Sequence, residues 1–250
     1  VQQLNHIDEA GLRAMLGVTL GLMERIRASA RPANPDISGR LLLELGLLRH
    51  ALEEGDPVEC WRAAAPRLAE GLRARPEDKT AARNPYDALR RLSVIAVFAN
   101  APTRAAMAGL ALHQLANPPS PAYAAPLELL SLLLPILGGD AADAGALTGL
   151  AESLETSDTT PRAERRLIAP LARGLAAVAA ADAEAWNLAV AQTIAFQAEQ
   201  SERGDMKRMV FGLTSFEGLM LAQIGLARGM PLRAVSAWLP LGLLPKGGAS

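Results

Sequence analysis

A single cysteine, Cys60, occurs in the 250 residues. The chain therefore has no internal disulfide and suits a reducing compartment. Aromatic residues are scarce at 4%, although half the residues are hydrophobic. The apolar stock is mostly Ala and Leu, the best helix formers, while the Val, Ile, Tyr and Phe that favour strands are thin. This imbalance predicts an all-α protein.

Charge of one sign is also lacking. There are 25 basic and 26 acidic residues, mixed along the chain, for a net charge of −1. No Lys/Arg run forms a basic patch, and lysine occurs only at 79, 207 and 246, which argues against a nucleic-acid partner. No apolar run reaches the roughly 20 residues that a membrane span requires. The best candidate, residues 122–139, carries Glu128 and two prolines and reads as a buried helix. No basic start followed by an apolar run suggests a secretory signal, so a cytoplasmic location is expected, with no membrane partner.

What is present is helical periodicity, punctuated by short Pro, Gly, Asn and Asp clusters. A first helix is expected over 8–28. Asp36 is placed as the N-cap of a second, with Leu41, Leu45, Leu48 and Leu52 on one stripe. Gly55 ends it, Asp56 caps the third, and Pro57 occupies the first turn, where its missing N–H costs nothing. Val58, Trp61, Ala65, Leu68 and Leu72 make the buried stripe of that helix, with Glu59, Arg62, Glu70 and Arg73 opposite.

The stretch "ALEEGDPVECWR" has an echo in "VAAADAEAWNLA", which begins at Val178. Apolar residues lie four, eleven and fifteen positions before Asp182 (Val178, Leu171, Leu167), as Leu52, Leu45 and Leu41 do before Asp56. Downstream, Ala183, Trp186, Val190 and Ile194 form the stripe. Pro170 disturbs the upstream helix, and the tryptophan is one position closer to its aspartate. The echo marks a repeated α-hairpin, with the aspartates as helix caps and the tryptophans as core.

Further helices are expected over 86–99, 103–115, 124–137, 140–154, 206–228 and 232–239. In 206–228, Met209, Leu213, Phe216, Met220 and Ile224 share a face, and Gly212, Gly218 and Gly225 point to close helix contacts. Gly229 reads as a C-cap before Pro231. Short linkers predict antiparallel hairpins stacked into a single bundle or short solenoid-like body. Residues 1–244 form one domain on this reading, with 116–123 as an alternative boundary and 245–250 as a frayed tail.

Motifs for chemistry are missing. His6, His50 and His113 stand alone, Cys60 has no CxxC mate, and no P-loop or nucleophile elbow occurs. The clusters Glu53-Glu54-Asp56-Glu59, Glu152-Glu155-Asp158 and Glu199-Glu202-Asp205 read as solvated helix ends, or as acidic docking surface for a basic partner. No catalytic, cofactor or metal site is expected, and the chain reads as a non-enzyme.

The stretch "FEGLMLAQIGLARGMPLRAVSAWLPLGLL" is distinctive: Glu-Gly in a long helix, then "LARGM", then "WLPLGLL". Together with the hairpin "ALEEGDPVECWRAA" it resembles immunity protein family 49 of bacterial polymorphic-toxin systems. The resemblance covers about a fifth of the chain. It implies a cytoplasmic, all-helical, non-enzymatic protein that binds and occludes a cognate toxin encoded by a neighbouring gene. It supplies no catalytic residues. Candidate interface residues are Glu199, Glu202 and Asp205 at one helix end, and Glu77, Asp78, Lys79 and Arg83 in the charged loop 74–85. The alternative is a tetratricopeptide-like scaffold or adaptor that binds a protein or peptide, and leftover apolar faces leave a homodimer open.

Overall fold

The computed structural model describes residues 7–29, 34–74, 84–115, 123–156 and 160–244. Among these the fold is all-α, with ten α-helices and no strand. They are α1 (Glu9–Ala28), α2 (Pro35–Leu52), α3 (Pro57–Arg73), α4 (Pro85–Phe98), α5 (Ala101–Ala105), α6 (Ala124–Gly138), α7 (Ala144–Thr156), α8 (Ala169–Ala179), α9 (Ala183–Glu202) and α10 (Phe216–Ala227). Glu77, Asp78, Lys79 and Arg83, most of the 116–123 stretch and the 245–250 tail lie outside the described residues.

Both aspartates of the echo are helix caps. The Asp56 carboxylate accepts from the Val58 and Glu59 amides, and Asp182 accepts from those of Glu184 and Ala185. Each satisfies backbone donors that the first turn of a helix leaves unpaired. The turns before them also match. After α2 the Glu54 amide donates to Arg49 O and the Glu53 amide to His50 O; after α8 the Asp182 amide donates to Ala177 O and the Ala181 amide to Val178 O. These paired bonds close a helix through one left-handed residue, the position glycine usually fills. Here Glu53 and Ala181 fill it, each at φ 55°.

The expected leucine stripe of α2 is buried, as are Trp61, Ala65, Leu68 and Leu72 of α3. The hairpins are held by tryptophan on glycine. Trp61 lies against Gly46 of α2 and donates from Nε1 to Leu43 O at 3.3 Å. Trp186 lies against Gly225 of α10, not against its upstream neighbour α8, and donates to Leu221 O at 2.9 Å. In α8 the small residue is Gly174, which receives Leu221 of α10. Helix α10 thus packs on α4 of the first hairpin block and on α8 and α9 of the second. Buried residues from Leu12 to Leu244 form one contiguous hydrophobic cluster.

Several boundaries differ from the sequence expectation. Asn34, not Asp36, caps α2, its side chain accepting from the Asp36 amide. The 140–154 helix begins at Ala144, where Asp143 accepts from the Ala146 amide. The 103–115 helix is reduced to α5 and a 3-10 turn at Leu112–Gln114, with Met107, Leu110 and Leu115 buried along the turns between and after them. The 206–228 helix divides into a 3-10 turn, Val210–Leu213, and α10. Thr214 is extended, and Ser215 caps α10 through its hydroxyl to the Gly218 amide.

No helix forms over 232–239. Asn187 holds the adjoining backbone instead, donating to Pro231 O at 3.0 Å and accepting from the Arg233 amide at 2.7 Å. Trp238 then donates to Gly212 O, while its own carbonyl accepts from the Ser215 amide. Pro170 sits two residues past the end of a π-turn, Glu164–Ile168, in a run that continues into α8. The wider turn relieves the clash that a proline ring makes with the carbonyl four residues back.

Candidate functional site

An open cleft of about 660 Å³ lies among the ends of α4, α5, α6 and α10 and the outer face of α3. Apolar residues from three elements line it: Phe98 from α4, Ile136 and Leu137 from α6, and Ile224 from α10. Phe98 is backed by the buried Trp61, with ring centroids 5.2 Å apart. The floor is therefore continuous with the tryptophan core and is rigidly supported.

Two arginines and no carboxylate line the cleft. Arg62 projects from the polar face of α3 and, among the described residues, makes no ion pair. Arg104 of α5 donates to Ala99 O at 2.7 Å, closing the carbonyl end of α4. Asn100 turns the chain between these helices, accepting from the Thr103 amide. Sequence reading assigned Arg62 to solvent and did not single out Arg104. Their convergence on one cleft depends on how α3, α4, α5 and α6 pack, which no local pattern announces.

The acidic cluster at the end of α9 does not present three free carboxylates. Glu199 pairs with Arg162 and with Arg166, the latter at 3.3 Å, while Glu202 and Asp205 are exposed farther along. Glu54 pairs with Arg13 at 2.7 Å, and Glu155 pairs with Arg173. The most buried ion network is also structural. Arg91 of α4 bonds both Asp36 and Asp87, and Arg40 adds 2.8 Å to Asp87, which ties the start of α2 to α4.

Glu217 of α10 is also buried and lies 3.9 Å from Arg90 of α4. Burial pushes the Cys60 thiol above its ordinary range, and Arg49 donates to its sulfur at 3.3 Å. His50 is lowered by burial beside Trp61. Burial pushes Tyr86 up to about 12, and Glu164 in the π-turn is raised for the same reason. Among the described residues no three His, Cys, Asp or Glu side chains converge as a metal-binding group. No described helix is long and apolar enough to cross a membrane.

Comparison with protein-family models, with curated proteins and with solved structures returns no match, so the functional reading rests on the cleft and on the sequence resemblance.

Proposed function

We propose that this protein is a non-catalytic binding protein of the immunity type, which occludes a cognate bacterial toxin. The resemblance of its two distinctive stretches to immunity protein family 49 suggests the partner. The observation that carries a binding role is the cleft. An apolar floor, two guanidinium groups and no carboxylate suit a protein segment that presents a hydrophobic side chain flanked by Asp or Glu.

Arginine pairs well with carboxylates in such settings because its planar fork can bond both oxygens. Complementary charge at the rim also accelerates encounter, which a protein that must intercept a toxin requires. The supporting helices pack against the core, so little ordering cost is expected when a partner docks.

The test is co-expression with the product of the adjacent open reading frame, scoring host growth and co-purification. Growth restored together with a stoichiometric complex supports the reading. Arg62→Glu is expected to abolish both while leaving the melting temperature unchanged, since Arg62 is exposed. A harmless neighbour, or rescue without a complex, overturns occlusion. A complex unaffected by R62E but lost on E202K/D205K places the interface at the acidic end of α9 instead.

A further inference from the structure

We propose that the cleft receives the C-terminal end of the partner chain, its apolar last residue on the floor and its free carboxylate held by Arg62 and Arg104. This rests on the cleft being the partner site, as proposed above, and names the part of the partner that enters it. The negative group is then the chain end itself, not an Asp or Glu side chain within a passing segment.

The hydrogen-bonding groups of the walls favour a chain end. A segment that runs through the cleft brings peptide N–H groups that need acceptors, and carbonyls at the surrounding helix ends are already engaged. Just past α4, Ala99 O accepts from Arg104. At the end of α6, Pro135 O and Ile136 O accept from the Asp140 and Gly139 amides. At the end of α10, Leu226 O accepts from the Gly229 amide. What remains is donors. Arg62 is exposed and makes no ion pair among the described residues. Arg104 is fixed by its bond to Ala99 O, with the rest of its guanidinium fork left to donate. Asn100 Oδ1 is occupied by the Thr103 amide at 2.9 Å, which leaves the Asn100 NH2 group as a donor. A terminal carboxylate only accepts, and it ends the chain, so no onward N–H has to be satisfied.

Charge and size support the same choice. Helices α4, α6 and α10 all end at the cleft. Each such end carries roughly half a negative unit, which two full guanidinium charges outweigh. The cleft, about 660 Å³, falls within the roughly 300–1,000 Å³ of ligand sites and suits the last few residues of a chain. Phe98, Ile136, Leu137 and Ile224 offer the last side chain an apolar seat, which favours Leu, Ile, Val or Phe at that position.

The test is selection on the full chain from two random peptide libraries displayed on phage, one with free C-termini and one with the random segment internal. Binders that depend on Arg62 should come from the first library and end in Leu, Ile, Val or Phe. The best of them, synthesised, should lose roughly tenfold or more in affinity when its carboxylate is amidated, and as much on Arg62→Glu. Arg67→Glu makes the same charge change on α3 outside the cleft and should leave affinity unchanged. Both arginines are exposed, so both variants should keep the melting temperature. Arg62-dependent binders from the internal library alone, or equal binding of acid and amide, overturn the chain-end inference and leave the cleft as the partner site. No Arg62-dependent binder from either library overturns both. Acid-selective binding retained beside a harmless neighbouring gene product supports the chain-end inference and overturns the immunity reading alone.

Discussion

The ring of Phe216 stands edge-on to the indole of Trp61, with centroids 5.3 Å apart, and nine residues later in the same helix Gly225 lies against the indole of Trp186. Helix α10 therefore bridges the two tryptophans of the repeated hairpin, about 13 Å apart along its axis. The stretch that is most distinctive in sequence is the clasp that joins the two halves of the core.

The two glycines under the indoles should be intolerant of any side chain. A Cβ at Gly46 would overlap Trp61, and one at Gly225 would overlap Trp186. Gly46→Ala and Gly225→Ala should each destabilise by about 2 kcal/mol or more, since the indole must shift within a packed core. Gly149→Ala in α7, where a Cβ meets nothing within 4 Å, should instead stabilise by about 0.5–1 kcal/mol. Chemical denaturation of the three variants checks both signs.

Ala181 and Glu53 hold left-handed conformations that cost an L-residue roughly 1 kcal/mol and glycine almost nothing. Ala181→Gly and Glu53→Gly should therefore raise stability, by up to about 1 kcal/mol each. The reverse change at Gly229, φ 76°, should lower it by a similar amount. Thermal melts separate these outcomes.

Trp186 donates to Leu221 O inside the core. Trp186→Phe leaves that carbonyl without its buried donor and removes ring volume, so a loss of about 2–4 kcal/mol is expected. Asp182→Ala should cost less, about 1 kcal/mol, because it removes only a cap at an exposed helix start. A denaturation series that ranks D182A above W186F in damage would contradict this division of roles.

Burial lowers the His50 pKa below its ordinary value of 6.5. Folded His50 then binds fewer protons than unfolded His50 as the pH falls below 6.5, so stability present above that pH is progressively lost on acidification. Denaturant midpoints measured above and below pH 6.5 should show this slope, and His50→Gln should flatten it.

Much of the architecture was legible along the chain. The Ala/Leu-rich composition determined an all-helical fold, and Asp56 and Asp182 announced helix starts through local chemistry. The leucine stripe of α2 and the face of α3 carrying Trp61 were set by periodicity alone. These features involve residues within a turn or two of each other, and short-range sterics and hydrogen bonds suffice to specify them.

Other decisions needed the folded body. Trp186 keeps the spacing of Trp61 almost unchanged, yet its glycine partner is on α10 and not on the preceding helix, because the Gly46 position has no counterpart in α8 that receives an indole. The 206–228 run breaks at Thr214 because Ser215 bonds the backbone of Trp238, and 232–239 stays non-helical because Asn187 holds its neighbouring peptide groups. The cleft arises only where Arg62 and Arg104, 42 positions apart, flank one apolar floor. Local sequence determined which residues are helical and which face each helix buries. Which helix meets which face depends on competition among many similar Ala/Leu surfaces, and only tertiary packing, through the fit of two indoles on two glycines, decided it.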